Sequence, residues 1–275
     1  MDKQLLANVV EIARRAGDAI LEVYNRAEGF EVEAKADDSP VTAADLAAHK
    51  ILAPELAALL PEVPVLSEES SLPPFSERSQ WQKYWIIDPL DGTKEFIKRN
   101  GEFTVNIALI EDGVPVLGVV YVPVLDITYT GLQGEGAWKI ANGEQQSITV
   151  RSLASLKTEQ LPISVVASRS HGAEAVEAML GKLERAFGAV ETKNMGSSLK
   201  LCLVAEGQAD LYPRLALTSE WDTAAAQAVV EAAGGQVYDT EFNILRYNTK
   251  DDILNPFFYV VGDSSYDWPS LLASE

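Results

Sequence analysis

The chain has little cysteine, few basic residues and no long apolar run. Its single cysteine, Cys202, cannot form a disulfide within the chain of 275 residues. The apolar runs are far shorter than the ~20 residues that a membrane-spanning helix needs. The first residues enter an amphipathic pattern directly, without the charged and apolar regions of a signal peptide. We therefore expect a cytoplasmic protein, and a peripheral association with the inner membrane is the alternative that the sequence leaves open.

Positive charge is also scarce, because 22 Lys and Arg stand against 41 Asp and Glu, which gives a formal net charge of −19. Such a surface repels nucleic-acid polymers and anionic membranes, so a nucleic-acid polymer is not an expected partner. A small anionic substrate is still compatible, since bound metal ions and a few cations reverse the field locally. The chain has no Gly-x-Ser-x-Gly motif for a serine nucleophile, and Cys202 follows Leu201 in a helical pattern that predicts a core position.

The apolar pattern divides the chain into two halves. The first half predicts helices over residues 3–26 and 43–60, a buried strand over 84–87 and an antiparallel meander of strands over 103–140. Residues 150–160 have the character of a linker, after which strands and helices alternate as in an α/β arrangement. We therefore expect an α+β half at residues 1–150 and an α/β half at residues 151–275.

The chain is organised around Asp88-Pro89-Leu90-Asp91-Gly92-Thr93, here called the Asp88 motif, which follows the buried strand. Pro89 fixes its own φ and biases Asp88 toward an extended conformation, so the chain changes direction there. The two carboxylates can then converge on one point, and Leu90 can turn its carbonyl inward. Hard divalent cations prefer such oxygen ligands, and Thr93 offers a hydroxyl beside them. The alternative is a loop of ordinary turn-forming residues.

Three further acidic positions lie at the ends of elements, and each has a structural alternative. Asp45 follows Thr42 by three residues, which also fits a capping box at a helix start. Glu68 follows a short strand, where a solvated loop would also carry glutamates. Asp222 begins an Ala-rich helix, where an acid favours the helix dipole. Together with the Asp88 motif, these carboxylates could hold two or three Mg²⁺ ions for an in-line phosphoryl displacement.

These segments together resemble the signature of a known superfamily. Asp45, Glu68-Glu69, the Asp88 motif and Trp221-Asp222-Thr223-Ala224-Ala225-Ala226 resemble the lithium-sensitive, Mg²⁺-dependent phosphatases of the inositol monophosphatase and fructose-1,6-bisphosphatase type. Within that superfamily, residues 88–110, 168–171 and 196–200 are similar to the bacterial CysQ-type 3′(2′),5′-bisphosphate nucleotidases. The resemblance covers nearly the whole chain, and it implies an α+β / α/β fold with a layered αβαβα sandwich.

The resemblance also implies a role for each matching residue. The first Mg²⁺ would be held by Glu68, Asp88 and the Leu90 carbonyl, the second by Asp88, Asp91 and Asp222, and a weaker third by Glu68 through water. Thr93, hydrogen-bonded to Asp45, would orient and help to deprotonate the attacking water. The substrate would be contacted at the metal site by Glu68, Leu90, Asp91, Gly92, Thr93 and Asp222. Its nucleotide part would be contacted by Ser168, His171, Gly196 and Lys200, for which surface loop positions are the alternative.

Those roles imply hydrolysis of the 3′-phosphate of 3′-phosphoadenosine 5′-phosphate (PAP) to AMP and phosphate, in sulfur assimilation and PAP recycling. The sulfated form of this nucleotide, PAPS, is the expected second substrate. The same metal site would serve an inositol or sugar phosphate equally well. Only residues in the second half of the chain can distinguish these substrates from the nucleotide. A binding protein without catalysis, or a purely structural cation module, is disfavoured because the metal ligands, Asp45 and Thr93 are all present. The choice between monomer and homodimer stays open.

Overall fold

The computed structural model describes residues 2–26, 32–34, 40–167 and 173–273. The helices in these ranges are α1 (Lys3–Tyr24), α2 (Ala43–Leu59), α3 (Phe75–Arg78), α4 (Thr93–Ile97), α5 (Leu153–Glu159), α6 (Ala173–Phe187), α7 (Leu199–Ala205), α8 (Glu220–Ala232) and α9 (Trp268–Leu272). The strands are β1 (Val32–Ala34), β2 (Pro40–Thr42), β3 (Val65–Ser67), β4 (Lys83–Asp91), β5 (Thr104–Glu111), β6 (Val114–Val122), β7 (Ile127–Leu132), β8 (Gly136–Ala141), β9 (Glu144–Ile148), β10 (Ile163–Ala167), β11 (Val190–Asn194), β12 (Leu211–Arg214), β13 (Gln236–Asp239) and β14 (Phe258–Val261).

A seven-stranded sheet forms the first half, with the strand order β3-β4-β5-β6-β7-β8-β9. Only β3 and β4 pair in parallel, and the remaining neighbours are antiparallel, as a meander requires. Helices α1 and α2 pack against each other and cover one face of this sheet. Helix α1 turns one apolar stripe inward, with Val9, Ala13 and Ile20 fully buried, because its apolar residues recur at helical spacing.

The layer between the two sheets consists of α7 and α8. Helix α8 crosses β4, β5, β6, β7 and β8 of the first sheet and also contacts β13 of the second. Its approach to the first sheet is close because Gly118 and Gly131 lie beneath its backbone, where an added Cβ would come within 2.1 Å of the Ala225 oxygen and 2.5 Å of the Ala228 oxygen. Ala224 and Ala228 present small side chains to the same contact.

The second sheet has five strands in the order β11-β10-β12-β14-β13. Strands β11, β10 and β12 are parallel, whereas β14 pairs antiparallel with both of its neighbours. Helix α6 covers β10 and β11 on the outer face and packs against α9. The order of layers is therefore helix, sheet, helix, sheet, helix, which confirms the αβαβα sandwich.

Most of the longer elements lie where the sequence predicts them. The linker predicted at residues 150–160 contains α5, and the short elements β2, α3, β9, β13 and α9 were not predicted. The chain was expected to change direction at Asp88, whereas β4 continues through Asp91. The boundary at residue 150 stays a prediction, and the apolar cluster around α8 draws on both halves. None of the described helices combines the length and the apolar character that a bilayer crossing requires.

Candidate metal and phosphate site

The Asp88 motif forms an irregular end of β4. Asp88 pairs with Asn106 of β5, and Asp91 pairs with Thr104, so three steps along β4 match two steps along β5. This extra residue is a β-bulge, which Pro89 favours because it has no N–H group for the ladder. The Leu90 N–H donates instead to Asp88 Oδ1 at 3.0 Å. The bulge therefore turns the ends of both aspartate side chains toward the same edge of the sheet.

Three carboxylates converge at that edge. Glu68 directly follows β3, and because β3 and β4 are parallel neighbours, it emerges beside Asp88; the Glu68 N–H donates to the Ile87 carbonyl at 3.3 Å. Asp222 arrives from the other half as the third residue of α8, where its Oδ2 accepts the Ser219 N–H at 2.8 Å. One carboxylate oxygen from each of Glu68, Asp88 and Asp222 lies within 4.8 Å of the others. This trio is the donor set that a metal ion needs.

The electrostatics of the trio favour a bound cation. Burial raises the pKa of Asp88 well above its ordinary value, and the charges of Glu68, Asp91 and Asp222 raise it further. Burial also raises the pKa of Asp222 to about 8, with the charge of Asp91 as the next cause. Three carboxylates so close together, one of them buried and two half-buried, are unfavourable without protons or a cation between them. A hard divalent ion with oxygen preference fits this set.

Asp91, the fourth predicted ligand, does not belong to the trio. Its Oδ2 accepts the Ser197 hydroxyl at 2.5 Å, the Ser198 N–H at 2.6 Å and the Ser198 hydroxyl at 2.7 Å. The hydroxyl of Thr104 and the amide of Asn106 lie 3.4 Å from the same oxygen. These donors tie β4 to the segment before α7, so Asp91 joins the two halves of the chain at the site.

Asp45 and Thr93 meet beside the motif. Thr93 Oγ1 lies 3.4 Å from Asp45 Oδ1 and 3.5 Å from the Leu90 carbonyl. The other oxygen of Asp45 accepts the Thr42 N–H at 2.8 Å and the Thr42 hydroxyl at 2.6 Å. The capping box at the start of α2 is therefore confirmed. It is compatible with the proposed role beside the metal site, since one carboxylate oxygen of Asp45 caps α2 and the other faces Thr93. Burial is the main cause that raises the pKa of Asp45 to about 6.

A cavity of about 590 Å³ opens next to the carboxylates. Asp91 and Asp222 line it together with the predicted residues Gly92, Gly196 and Lys200. Gly92 has a φ of +91°, a conformation that favours glycine. Gly196 has no room for a side chain, because an added Cβ would lie 2.9 Å from the Glu102 backbone oxygen. The acidic trio and the cavity therefore share Asp222, and the cavity leads away from the metal site into the second half.

Lys200 is the most enclosed cation of this cavity, with 9% of its surface exposed. Its ammonium donates to the Ser197 carbonyl at 2.9 Å and lies 5.8 Å from the centre of the Tyr212 ring. Burial lowers its pKa, which the negative charge of Asp91 partly offsets. Of the remaining predicted residues, Ser168 and His171 lie outside the part of the chain that the structure describes.

Several residues of the cavity were not predicted from the sequence. Arg214 ends β12 and lines the cavity, and its positive charge acts on both Lys200 and Asp222. Lys94 and Lys98 line the cavity from α4 and the residue after it. The position of Arg214 at the end of a predicted strand could have indicated a binding residue. Its proximity to Asp222, however, depends on the fold.

Comparisons with known proteins agree with this geometry. The model of the inositol monophosphatase family matches residues 1–263. A Salmonella typhimurium protein named 3′(2′),5′-bisphosphate nucleotidase CysQ is 52% identical over 256 residues, which cover 93% of this chain and 99% of the relative. A Buchnera aphidicola protein of the same name is 42% identical over 260 residues, covering 94% and 93% of the two chains.

Solved structures give the same result. The crystal structure of CysQ from Bacteroides thetaiotaomicron, described as a bacterial member of the inositol monophosphatase family, has a TM-score of 0.79 at 41% identity and covers 94% of this chain and 96% of that one. The extragenic suppressor protein suhB from Bartonella henselae has a TM-score of 0.75 at 27% identity, with 95% and 94% covered. The chain therefore belongs to the inositol monophosphatase family.

Proposed function

We propose that the protein is a Mg²⁺-dependent phosphatase that removes the 3′-phosphate of PAP, giving AMP and phosphate, and that it also acts on PAPS. The observation that carries this proposal is the carboxylate trio of Glu68, Asp88 and Asp222 at the edge of a cavity with several cations. The name 3′(2′),5′-bisphosphate nucleotidase, borne by relatives up to 52% identical over nearly the full chain, supports the choice of substrate.

The metal site would hold two or three Mg²⁺ ions. Glu68, Asp88 and Asp222 supply the converging oxygens, and the Leu90 carbonyl and Asp91 would complete the ligand set, as the resemblance of the sequence implies. When bound, such ions supply Lewis-acid activation of water and neutralise charge on the phosphoryl oxygens. Asp88 is buried. Its carboxylate is therefore shielded from bulk water, and a shielded carboxylate interacts more strongly with a cation than a solvated one does.

The residues of the chain itself prepare the nucleophile. Thr93 Oγ1 donates its proton to Asp45 Oδ1 and can accept a proton from the attacking water in return. Thr42 binds the other oxygen of Asp45 and so fixes the orientation of the carboxylate. With a pKa of about 6, Asp45 is ionised at neutral pH yet basic enough to take the proton.

The cavity would hold the rest of the nucleotide. Lys200 is the cation for the second phosphate, and Arg214 adds a second positive charge on the same side. Gly196, which lines the cavity, would contact the substrate, as the resemblance of the sequence implies, and Gly92 and Thr93 can turn N–H groups toward phosphate oxygens. Ser168 and His171 would contact the nucleoside, as the resemblance of the sequence implies.

The test is a comparison of substrates on one preparation of the protein. Phosphate release is measured from PAP, PAPS and inositol 1-phosphate with Mg²⁺, then with EDTA, and then with Mg²⁺ and Li⁺ together. We expect fast release from the two nucleotides, its loss with EDTA and its inhibition by Li⁺. Faster release from inositol 1-phosphate would retain the metal site and refute the proposed use of the cavity. Release that persists in EDTA would refute the metal site itself.

A further inference from the structure

A fully buried arginine lies outside the site described so far. Arg78, the last residue of α3, has no exposed surface. Its Nη1 donates to Asn248 Oδ1 at 2.5 Å, and its Nη2 donates to the Lys250 carbonyl at 3.0 Å and to the Asp251 carbonyl. Its guanidinium carbon lies 4.9 Å from the centre of the Phe75 ring. Burying a guanidinium is costly unless its donors are satisfied. Among the described residues, the segment from residue 248 to residue 251 supplies acceptors for Nη1 and Nη2, whereas the buried Nε has none.

Asn248 connects this arginine to α8. Its side-chain amide donates to the Arg78 carbonyl at 2.5 Å, so the two residues bind each other twice. Its backbone N–H donates to both carboxylate oxygens of Glu220, at 2.9 Å and 3.0 Å. This geometry requires a φ of +57° at Asn248, which asparagine tolerates better than most residues.

Glu220 is the first residue of α8 and stands two positions before Asp222. Only 2% of its surface is exposed, and its N–H donates to the Ile253 carbonyl at 2.9 Å. Asn255 binds the same turn, since its side-chain amide donates to the Ser219 carbonyl at 2.7 Å and lies 3.0 Å from the Thr223 hydroxyl. The first turn of α8 is thus fixed on both sides of Asp222 by the segment from residue 248 to residue 255.

We propose that Arg78, Asn248 and Glu220 are positioning residues that hold the first turn of α8, so that the affinity for Mg²⁺ depends on an arginine that touches neither metal nor substrate. This inference rests on the proposed role of Asp222 as a metal ligand. The physical reason is that the end of a helix frays unless its groups are bound. A displaced first turn would separate Asp222 from Glu68 and Asp88, which come from the other half of the chain.

The test uses Arg78→Met with a matched control. Arg151→Met removes another arginine with partners inside the fold, because Arg151 donates to both oxygens of the fully buried Asp210 through Nε and Nη2. Neither Arg151 nor Asp210 lines the cavity or belongs to the trio. Both variants are expected to lower Tm, so loss of stability alone cannot separate them.

The deciding measurement is calorimetric titration of the metal-free proteins with Mg²⁺. Arg78→Met is expected to raise the Kd for Mg²⁺ by roughly 10-fold or more, as the loss of a partner that orients a metal ligand commonly does. Arg151→Met is expected to leave the Kd unchanged. Amide hydrogen exchange should show faster exchange at residues 220–223 in Arg78→Met only.

A milder variant covers the case in which Arg78→Met does not fold. Asn248→Gly retains the positive φ and the N–H bond to Glu220 but removes both side-chain bonds to Arg78, and it should also weaken Mg²⁺ binding. An unchanged Kd in both variants, or an equal increase in Arg151→Met, would overturn the inference. If the unmodified protein does not bind Mg²⁺, the proposed function fails instead, so the two failures are distinguishable.

Discussion

At the residue scale, Lys200 offers the sharpest test of substrate recognition. Its ammonium is enclosed in the cavity and has a carbonyl and an aromatic ring as neighbours. Hydrogen bonds to charged groups are worth about 1.5–3 kcal/mol, which corresponds to roughly 10- to 150-fold in kcat/KM. Lys200→Met should therefore lower kcat/KM for PAP by that factor while leaving hydrolysis of adenosine 3′-monophosphate, which lacks the second phosphate, nearly unchanged.

A matched lysine is available as the control. Lys193 also donates to a backbone carbonyl, that of Gln208 at 2.6 Å, but it does not line the cavity. Lys193→Met should not change the kinetics of either substrate. If Lys200→Met lowered the activity on both substrates equally, Lys200 would maintain the structure of the site and would not bind the second phosphate.

The acidic residues of the site could be predicted from the sequence because each one ends or begins an element. Glu68 follows a strand and Asp222 opens a helix, so their chain positions already limit where their side chains lie. The role of Asp91 in joining the halves could not be predicted, because its serine partners lie 106 and 107 residues further along the chain. The same is true of Arg78, whose partner Asn248 is 170 residues away. Such pairs depend on tertiary structure that no local pattern encodes.

At the element scale, the contact between α8 and the first sheet decides where Asp222 lies. An added Cβ at Gly131 in β7 would come within 2.5 Å of the Ala228 oxygen and 2.6 Å of the Val229 Cα, both in the backbone of α8. Gly131→Ala should therefore push the helix away, at a cost of about 1–3 kcal/mol in the free energy of unfolding. Its Tm should fall, and its affinity for Mg²⁺, measured by calorimetric titration, should fall with it.

Gly181→Ala is the control for this substitution. Gly181 lies within α6, and the nearest atom to an added Cβ is Arg185 Nη1 at 3.7 Å, which is an ordinary contact. Alanine favours a helix over glycine by roughly 0.5–1 kcal/mol, so this variant should be slightly more stable than the unmodified protein and bind Mg²⁺ equally well. A Gly131→Ala protein with unchanged Tm and Mg²⁺ affinity would contradict the close contact of α8.

The elements that the sequence did not predict are short. Strand β9 is largely exposed and carries Glu144, Gln145 and Gln146, so no alternation of apolar residues marks it. Strand β13 has four residues and directly follows Gly234-Gly235, and it depends on pairing with β14. By contrast, α1 and the meander repeat their apolar pattern over many residues, and their prediction is confirmed.

At the scale of the whole molecule, the metal site links two halves that together carry a formal net charge of −19. Glu68 and Asp88 belong to the first half and Asp222 to the second, so their mutual repulsion acts directly across the contact between them. The sequence reveals the excess of acid, but it does not tell which carboxylates are buried. The structure identifies Asp45, Asp88 and Glu220, which are buried, and Asp222, which is half-buried, as carboxyls whose pKa values rise on folding.

These shifts make the stability of the metal-free protein depend on pH. Burial raises the pKa of Glu220 to about 7 and that of Asp222 to about 8, from ordinary values of 4.5 and 3.8. The native state therefore holds protons that the unfolded chain has already lost at neutral pH. The stability that these groups contribute is complete below about pH 4 and declines as pH rises toward about pH 8. Carboxyls with lowered pKa values, such as Asp263, change charge below this range.

We accordingly expect the Tm in EDTA to fall between about pH 7.5 and about pH 8.5, because the opposite effect of His49, whose pKa is lowered by burial, fades about one pH unit above its unfolded-state pKa. Mg²⁺ replaces the protons on the trio and binds only the folded state, so it should raise Tm, and more so at the higher pH. Thermal unfolding over this range, with EDTA and with Mg²⁺, measures both effects. Asp222→Asn should reduce the slope in EDTA and the response to Mg²⁺. A Tm in EDTA that is constant or rises with pH would mean that Asp222 and Glu220 do not retain their protons in the native state at neutral pH.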